Sequence, residues 1–167
     1  MRAATGDPTV SPTAGSDLGR PALHDLDRRR DIHDLVVRFY REVVFDDLLE
    51  PVFGEVAEVD WSTHIPKLID YWCRVLLGEP GYDGAILAAH RHVHEIDAFR
   101  LEYFDRWYAL WVTSIDDGWS GPIAEQAKRH AARIASSLAR HLLGTTWEPP
   151  EQVRPPAPGA TVERSAH

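Results

Sequence analysis

The segment LLGEPGYDGAILAAHRHVH, residues 76–94, decides how the rest of the chain is read. Within it, residues 78–84 (GEPGYDG) hold three glycines and one proline in seven positions. Glycine costs a helix backbone entropy and proline lacks the amide hydrogen a helix needs, so this piece is a loop. A short helix over Ala85–His94 follows it. That helix carries His90, His92 and His94. His90 and His94 share one of its faces, since residues four apart stack one above the other.

On either side of this segment the apolar residues recur at three- and four-residue steps. In Asp31–Asp47 the stripe is Ile32, Leu35, Val36, Phe39, Val43 and Val44, with Tyr40 at its edge, and Pro51 breaks the pattern. A second helix opens near Asp60–Thr63, with Asp60, Ser62 or Thr63 as cap, and runs through Tyr71, Trp72, Val75 and Leu76 to Gly78. Pro66 is tolerable there only within the first turn, where backbone N–H groups lack partners anyway. After the histidines, Leu101–Ile115 carries Phe104, Trp107, Tyr108, Trp111 and Ile115. The last helix starts after Ser120, with Gly121 and Pro122 in its first turn, and ends before Gly144. Its stripe is Ile123, Ala127, Ala131, Ile134, Leu138 and Leu142. The chain reads as all-α, with five or six helices.

A length of 167 residues suits one domain. Eight of the twelve prolines lie outside residues 24–147, and all sixteen aromatic residues lie within Phe39–Trp147. The ends therefore have little to bury, and the expected organisation is a disordered tail over 1–24, a domain over 25–147 and a disordered Pro-rich tail over 148–167. Eighteen basic against 26 acidic residues give a net charge of −8, which argues against nucleic acid or an anionic membrane as partner. No apolar run approaches the roughly 18 residues a membrane-spanning helix needs, and the N-terminus has no signal-peptide stretch. Cys73 is the only cysteine, which excludes an internal disulfide and fits a reducing cytoplasm. Beside Trp72, it reads as a small packing residue.

No phosphate-cradling loop, HExxH helix or GxSxG elbow is present, so the histidines carry the remaining chemical signal. Three readings are open for them: a metal pair, His90 and His94, completed by Glu95 or another carboxylate; one axial haem ligand; or solvated surface side chains. Tyr40, Tyr71, Trp72 and Trp107 place phenols and indoles on core-facing stripes, and His64 lies near them. Each polar atom there needs a partner. A polar ligand held in an apolar pocket satisfies several of them together.

In order and spacing, FY (39–40), PVF (51–53), WSTH (61–64), YW (71–72), LLGEPGYDG (76–84), LAAH (87–90) and FDRW (104–107) resemble a truncated haemoglobin of group III. The resemblance covers roughly residues 31–142. It implies a two-over-two helical sandwich enclosing one haem b. His90 matches the proximal histidine, the residue that binds the iron, although counting back from Trp107 favours His94. Tyr40, His64 and Trp107 match the distal residues that stabilise a bound ligand, and His64 can instead gate the pocket or coordinate the iron. Phe53 matches the phenylalanine that packs on the haem, and Trp72 joins the cofactor-binding set. Leu68 faces the same pocket by spacing alone, one turn after His64.

The implied function is binding of O₂, NO, CO or a similar small ligand. Peroxidase-like or nitric-oxide dioxygenase turnover is a further option, and it requires a partner reductase. The competing reading is a cofactor-free helical interaction module whose aromatics are core or interface anchors. Trp147, at the edge of the tail, either folds back on the domain or belongs to the tail.

Overall fold

The computed structural model describes residues 23–82 and 84–151. The expected tails over 1–24 and 148–167 lie largely outside these residues, as does Asp83 of the glycine-rich loop. Among the described residues there is no strand. The helices are α1 (Arg29–Val44), α2 (Trp61–Leu77), α3 (Ile86–Ile96), α4 (Leu101–Asp116) and α5 (Pro122–Leu143), with a short π-helical turn at Val52–Val56. α1 packs on α2, α4 packs on α5, and α1 also meets α4, so two helix pairs face each other.

The α1 stripe does what its spacing predicts: Ile32, Leu35, Val36, Phe39 and Val43 are buried, and so is Tyr40. Each aliphatic or phenyl side chain fully buried this way stabilises the fold by about 1.5–3 kcal/mol. The helix ends at Val44, short of the expected Asp47, and Pro51 is not what stops it. The Asp46 carboxylate accepts the N–H groups of Leu48 (3.2 Å) and Leu49 (3.1 Å), which starts a new turn in place of continuing the old one. Pro51 sits in a helical conformation just beyond, leading into the π turn.

α2 opens on Asp60, whose side chain accepts the Ser62 N–H at 3.0 Å and the Ser62 and Thr63 hydroxyls at 2.7 and 2.8 Å. Pro66 is the sixth residue of this helix, beyond the first turn to which the sequence confined it. Its ring nitrogen cannot donate to the Ser62 carbonyl. The helix tolerates that loss because its buried face, Ile69, Trp72, Cys73 and Leu76, lies in the core on the C-terminal side. α2 closes on Gly78 at φ 72°, a left-handed conformation that turns the following Glu79 N–H back to the Cys73 carbonyl.

α5 buries Ala124, Ala127, Ala131, Ala135 and Ala139, small side chains that let it approach α4 closely. Its first turn has no side-chain cap of its own. Asp25 supplies one from a distance, accepting the N–H groups of Ile123 (2.9 Å) and Ala124 (2.8 Å). Gly121 is required at this junction: its φ is 150°, and a Cβ there would come within 2.4 Å of the Asp25 carboxyl carbon. Trp147 does fold back. It is buried, donates its indole N–H to Asp105 at 2.8 Å, and accepts the Ser136 hydroxyl at its carbonyl.

Candidate functional site

A cavity of about 540 Å³ opens between the helices. That is the size of pocket that buries a small organic molecule or cofactor. Tyr40 from α1, Phe53 from the π turn, and His64, Leu68 and Trp72 from α2 line it, together with His90 from α3 and Trp107 from α4. The structure thus brings all seven residues singled out in the sequence to one place.

His90 is placed by the loop and by its own helix. Its Nδ1 lies 2.8 Å from the carbonyl oxygen of Ile86, one turn earlier. A carbonyl only accepts, so Nδ1 carries the hydrogen and Nε2 keeps its lone pair. Burial lowers the His90 pKa from the ordinary 6.5, and the bond to Ile86 opposes this in part. The ring is a neutral imidazole with one nitrogen available.

His94 has other employment. Its Nδ1 accepts the backbone N–H of Phe99 at 2.9 Å, tying the end of α3 to the turn before α4, and it does not line the cavity. His92 is exposed at the cavity edge. Among the described residues, no group of three His, Cys, Asp or Glu side chains converges as a metal site. His90, His94 and Glu95 therefore do not form the alternative cluster.

The polar groups of the remaining walls converge. Tyr40 is buried, with its ring 5.9 Å from that of His64. Burial drives its pKa far above the ordinary 10, only partly offset by a hydrogen bond from the Trp107 side chain. An indole N–H can only donate, so the Tyr40 oxygen is the acceptor and its own O–H is left for another partner. Burial also lowers the pKa of His64, helped by the nearby Lys67 charge and by the charge His90 would carry if protonated, so this ring too is neutral at pH 7. A phenol, an indole and a neutral imidazole thus meet in a largely apolar chamber.

Sequence reasoning missed part of the wall. Phe104 and Leu138 line the cavity and lay on recognised apolar stripes, so their periodicity could have found them. Phe99 stands in the irregular link between α3 and α4, where no period applies. It meets the rings of both His90 (6.2 Å) and His94 (5.7 Å) edge-on.

Two facing helix pairs thus enclose this cavity. No family model matches the chain. Among curated proteins, it is 28% identical over 117 residues to the group 3 truncated hemoglobin ctb of Campylobacter jejuni, covering 68% of this chain and 90% of that one. Among solved structures, it matches the group III truncated hemoglobin from Campylobacter jejuni with a TM-score of 0.61 at 28% identity, over 69% of this chain and 91% of that one. The chain is similar to group III truncated haemoglobins in both sequence and fold. A globin fold implies haem, and the donor set fits it: one neutral imidazole with a free Nε2 in a cavity walled by aromatic and aliphatic side chains.

Proposed function

We propose that this chain is a haem protein that binds O₂ and similar small ligands, NO and CO among them, through the cavity around His90. The supporting observation is the bond from His90 Nδ1 to the Ile86 carbonyl, which leaves Nε2 as the one ring nitrogen able to bind iron. Held by His90, haem iron would supply a coordination site for a diatomic ligand. Haem b, held without thioether links, suits a chain whose only cysteine, Cys73, is buried in α2.

The remaining chemistry belongs to the chain. Tyr40 stays protonated across the physiological range because burial opposes its ionisation, so its O–H remains a donor. Trp107 orients that hydroxyl by donating to its oxygen. His64, neutral, adds one N–H and is half-buried, so it can also turn toward solvent. Phe53, Leu68 and Trp72 supply apolar wall that keeps water from competing for these donors.

We assign the globin domain to residues 25–147 and its location to the cytoplasm, where a single-cysteine acidic chain is at home. Among the described residues no helix is long and apolar enough to cross a membrane. Peroxide or nitric-oxide turnover would draw electrons from a reductase partner. The test is haemin titration of the haem-free chain: one equivalent taken up with a sharp Soret band supports the reading. Failure to take up haemin would leave the aromatic walls as an interaction core.

A further inference from the structure

Ligand binding leaves one set of aromatic contacts unused. The Trp107 ring lies parallel to that of Trp111, interplanar angle 1° and centroids 6.2 Å apart. Trp111 stacks on Trp72 at 4.4 Å, and Trp72 meets Tyr71 edge-on at 5.5 Å. Trp107, Trp72 and Tyr71 all line the cavity, with Trp111 buried behind them. The Tyr71 oxygen lies 2.6 Å from Nε2 of His130 on α5. Tyr71 and His130 are half-buried, and Arg133, which touches His130 Nδ1, is exposed. The series therefore follows the cavity wall from Trp107 to Tyr71, and His130 and Arg133 continue it to the surface.

Removing an electron from a phenol makes its O–H strongly acidic, so a phenol is readily oxidised only where a base is in contact. Three other tyrosines lack one. Tyr40 is bonded to an indole, Tyr108 has no hydrogen-bond partner, and Tyr103 lies beneath the Arg100 guanidinium. His130 is a base. Burial, aided by the Arg133 charge, lowers its pKa below the ordinary 6.5 and leaves it neutral at pH 7.

A neutral imidazole offers one lone pair, for which Tyr71 and Arg133 compete. The 2.6 Å separation is of O–H donor length, shorter than the usual N–H···O range, and Arg133 at 3.1 Å has water as an alternative. Tyr71 therefore donates. Burial pushes the Tyr71 pKa up to about 12, so the proton leaves only together with the electron.

We propose that Tyr71, with His130 as its proton acceptor, is an electron-entry site at which a small phenolic donor supplies electrons, along Trp72, Trp111 and Trp107, to a peroxide reduced in the cavity. The peroxide step rests on the haem reading; conduction along the aromatic series does not. In each step Tyr71 passes one electron toward the cavity and its hydroxyl proton to His130 Nε2, leaving a neutral phenoxyl radical beside an imidazolium. The phenol ArOH then returns an electron to Tyr71, His130 returns the proton, and the donor leaves as ArO• with its own proton released to solvent. Two such electrons and two solvent protons cleave the O–O bond to water. The sum is H₂O₂ + 2 ArOH → 2 H₂O + 2 ArO•.

The experiment has two arms on the full-length chain. Haem-loaded protein is mixed with hydrogen peroxide and a spin trap, and the adduct is located by peptide mapping. Separately, the chain, with or without haem, is oxidised at tryptophan by azide radicals in pulse radiolysis, and phenoxyl absorption is followed as tryptophanyl absorption decays. The expected result is an adduct on Tyr71 and a phenoxyl rise. Both are lost in Tyr71→Phe and diminished in His130→Gln, which keeps an acceptor but takes no proton. Adducts confined to Tyr40 or Trp107, or a phenoxyl rise that survives Tyr71→Phe, would overturn the proposal. Failure to load haem would count against the haem reading alone, and the radiolysis arm would still decide the route.

Discussion

The imidazole of His90 donates from Nδ1 to the carbonyl oxygen of Ile86, 2.8 Å away and one helical turn earlier. One backbone contact therefore fixes both the tautomer and the facing of the ring, and leaves its second nitrogen the lone pair a metal requires. His94, four residues on, has its Nδ1 occupied by the Phe99 N–H.

This difference separates the two histidines experimentally. His94→Ala leaves the Phe99 amide without its partner and lowers stability by about 1 kcal/mol, the ordinary worth of such a bond. Haem retention should be unaffected. Urea denaturation and the Soret absorbance of His94→Ala, measured on one sample, check both halves of the expectation.

Tyr40→Phe keeps the ring and its contacts with Phe39 and Phe53 but removes the hydroxyl. A hydrogen bond to a bound ligand worth about 1.4 kcal/mol corresponds to about tenfold in dissociation rate. Stopped-flow release of O₂ from the ferrous variant should be faster by about that factor. An unchanged rate would remove the donor role from Tyr40.

The Asp25 cap ties the segment before α1 to α5. Asp25→Ala frees two helix N–H groups and should cost about 1–2 kcal/mol, at the upper end for a lost cap. Gly121→Ala should destabilise as well, because its Cβ meets the Asp25 carboxylate and φ stays at 150°. Thermal melts of the two single variants and of the double show whether the effects are coupled. Removing the carboxylate should relieve part of the Gly121→Ala penalty.

Acid should weaken the haem-free fold through its half-buried histidines. His64, His90 and His130 all have pKa values below the ordinary 6.5, chiefly because burial disfavours the charged ring. The unfolded chain thus binds protons more readily than the native one. Their contribution is fully present above pH 6.5 and is lost as pH falls through that value toward the native-state pKa values. Denaturant midpoints at pH 8 and pH 5 should differ in this direction, and His64→Leu should flatten the profile. A midpoint that rises on acidification would contradict it.

Much of the architecture was legible because the helices obey one period. The α1 stripe, Phe104 with Trp111, and the alanines of α5 follow three- and four-residue spacing, which a sequence displays directly. The points of failure are those where a tertiary partner overrides local preference. Pro66 lies deeper in α2 than its missing N–H suggests, since the core beyond it holds the helix. α1 stops at Val44 because Asp46 captures the next amides. The π turn at Val52–Val56, the remote cap by Asp25 and the wedge of Phe99 depend on neighbours distant in the chain or on irregular backbone. Among the residues that line the cavity, Leu68 followed from helical spacing, whereas Tyr40, Phe53, His64, His90 and Trp107 were picked out by motif order.

Whether His90 Nε2 would hold the haem iron is tested by removing that nitrogen. His90→Gly would be loaded with haem with and without free imidazole, then examined by absorption in the ferric, reduced and CO-bound forms. The expected result is that the variant alone loses its haem or its histidine-type spectrum, and that imidazole entering the vacated space restores both. A His90→Gly spectrum identical to that of the parent without imidazole would rule out His90 and move the iron ligand to another histidine.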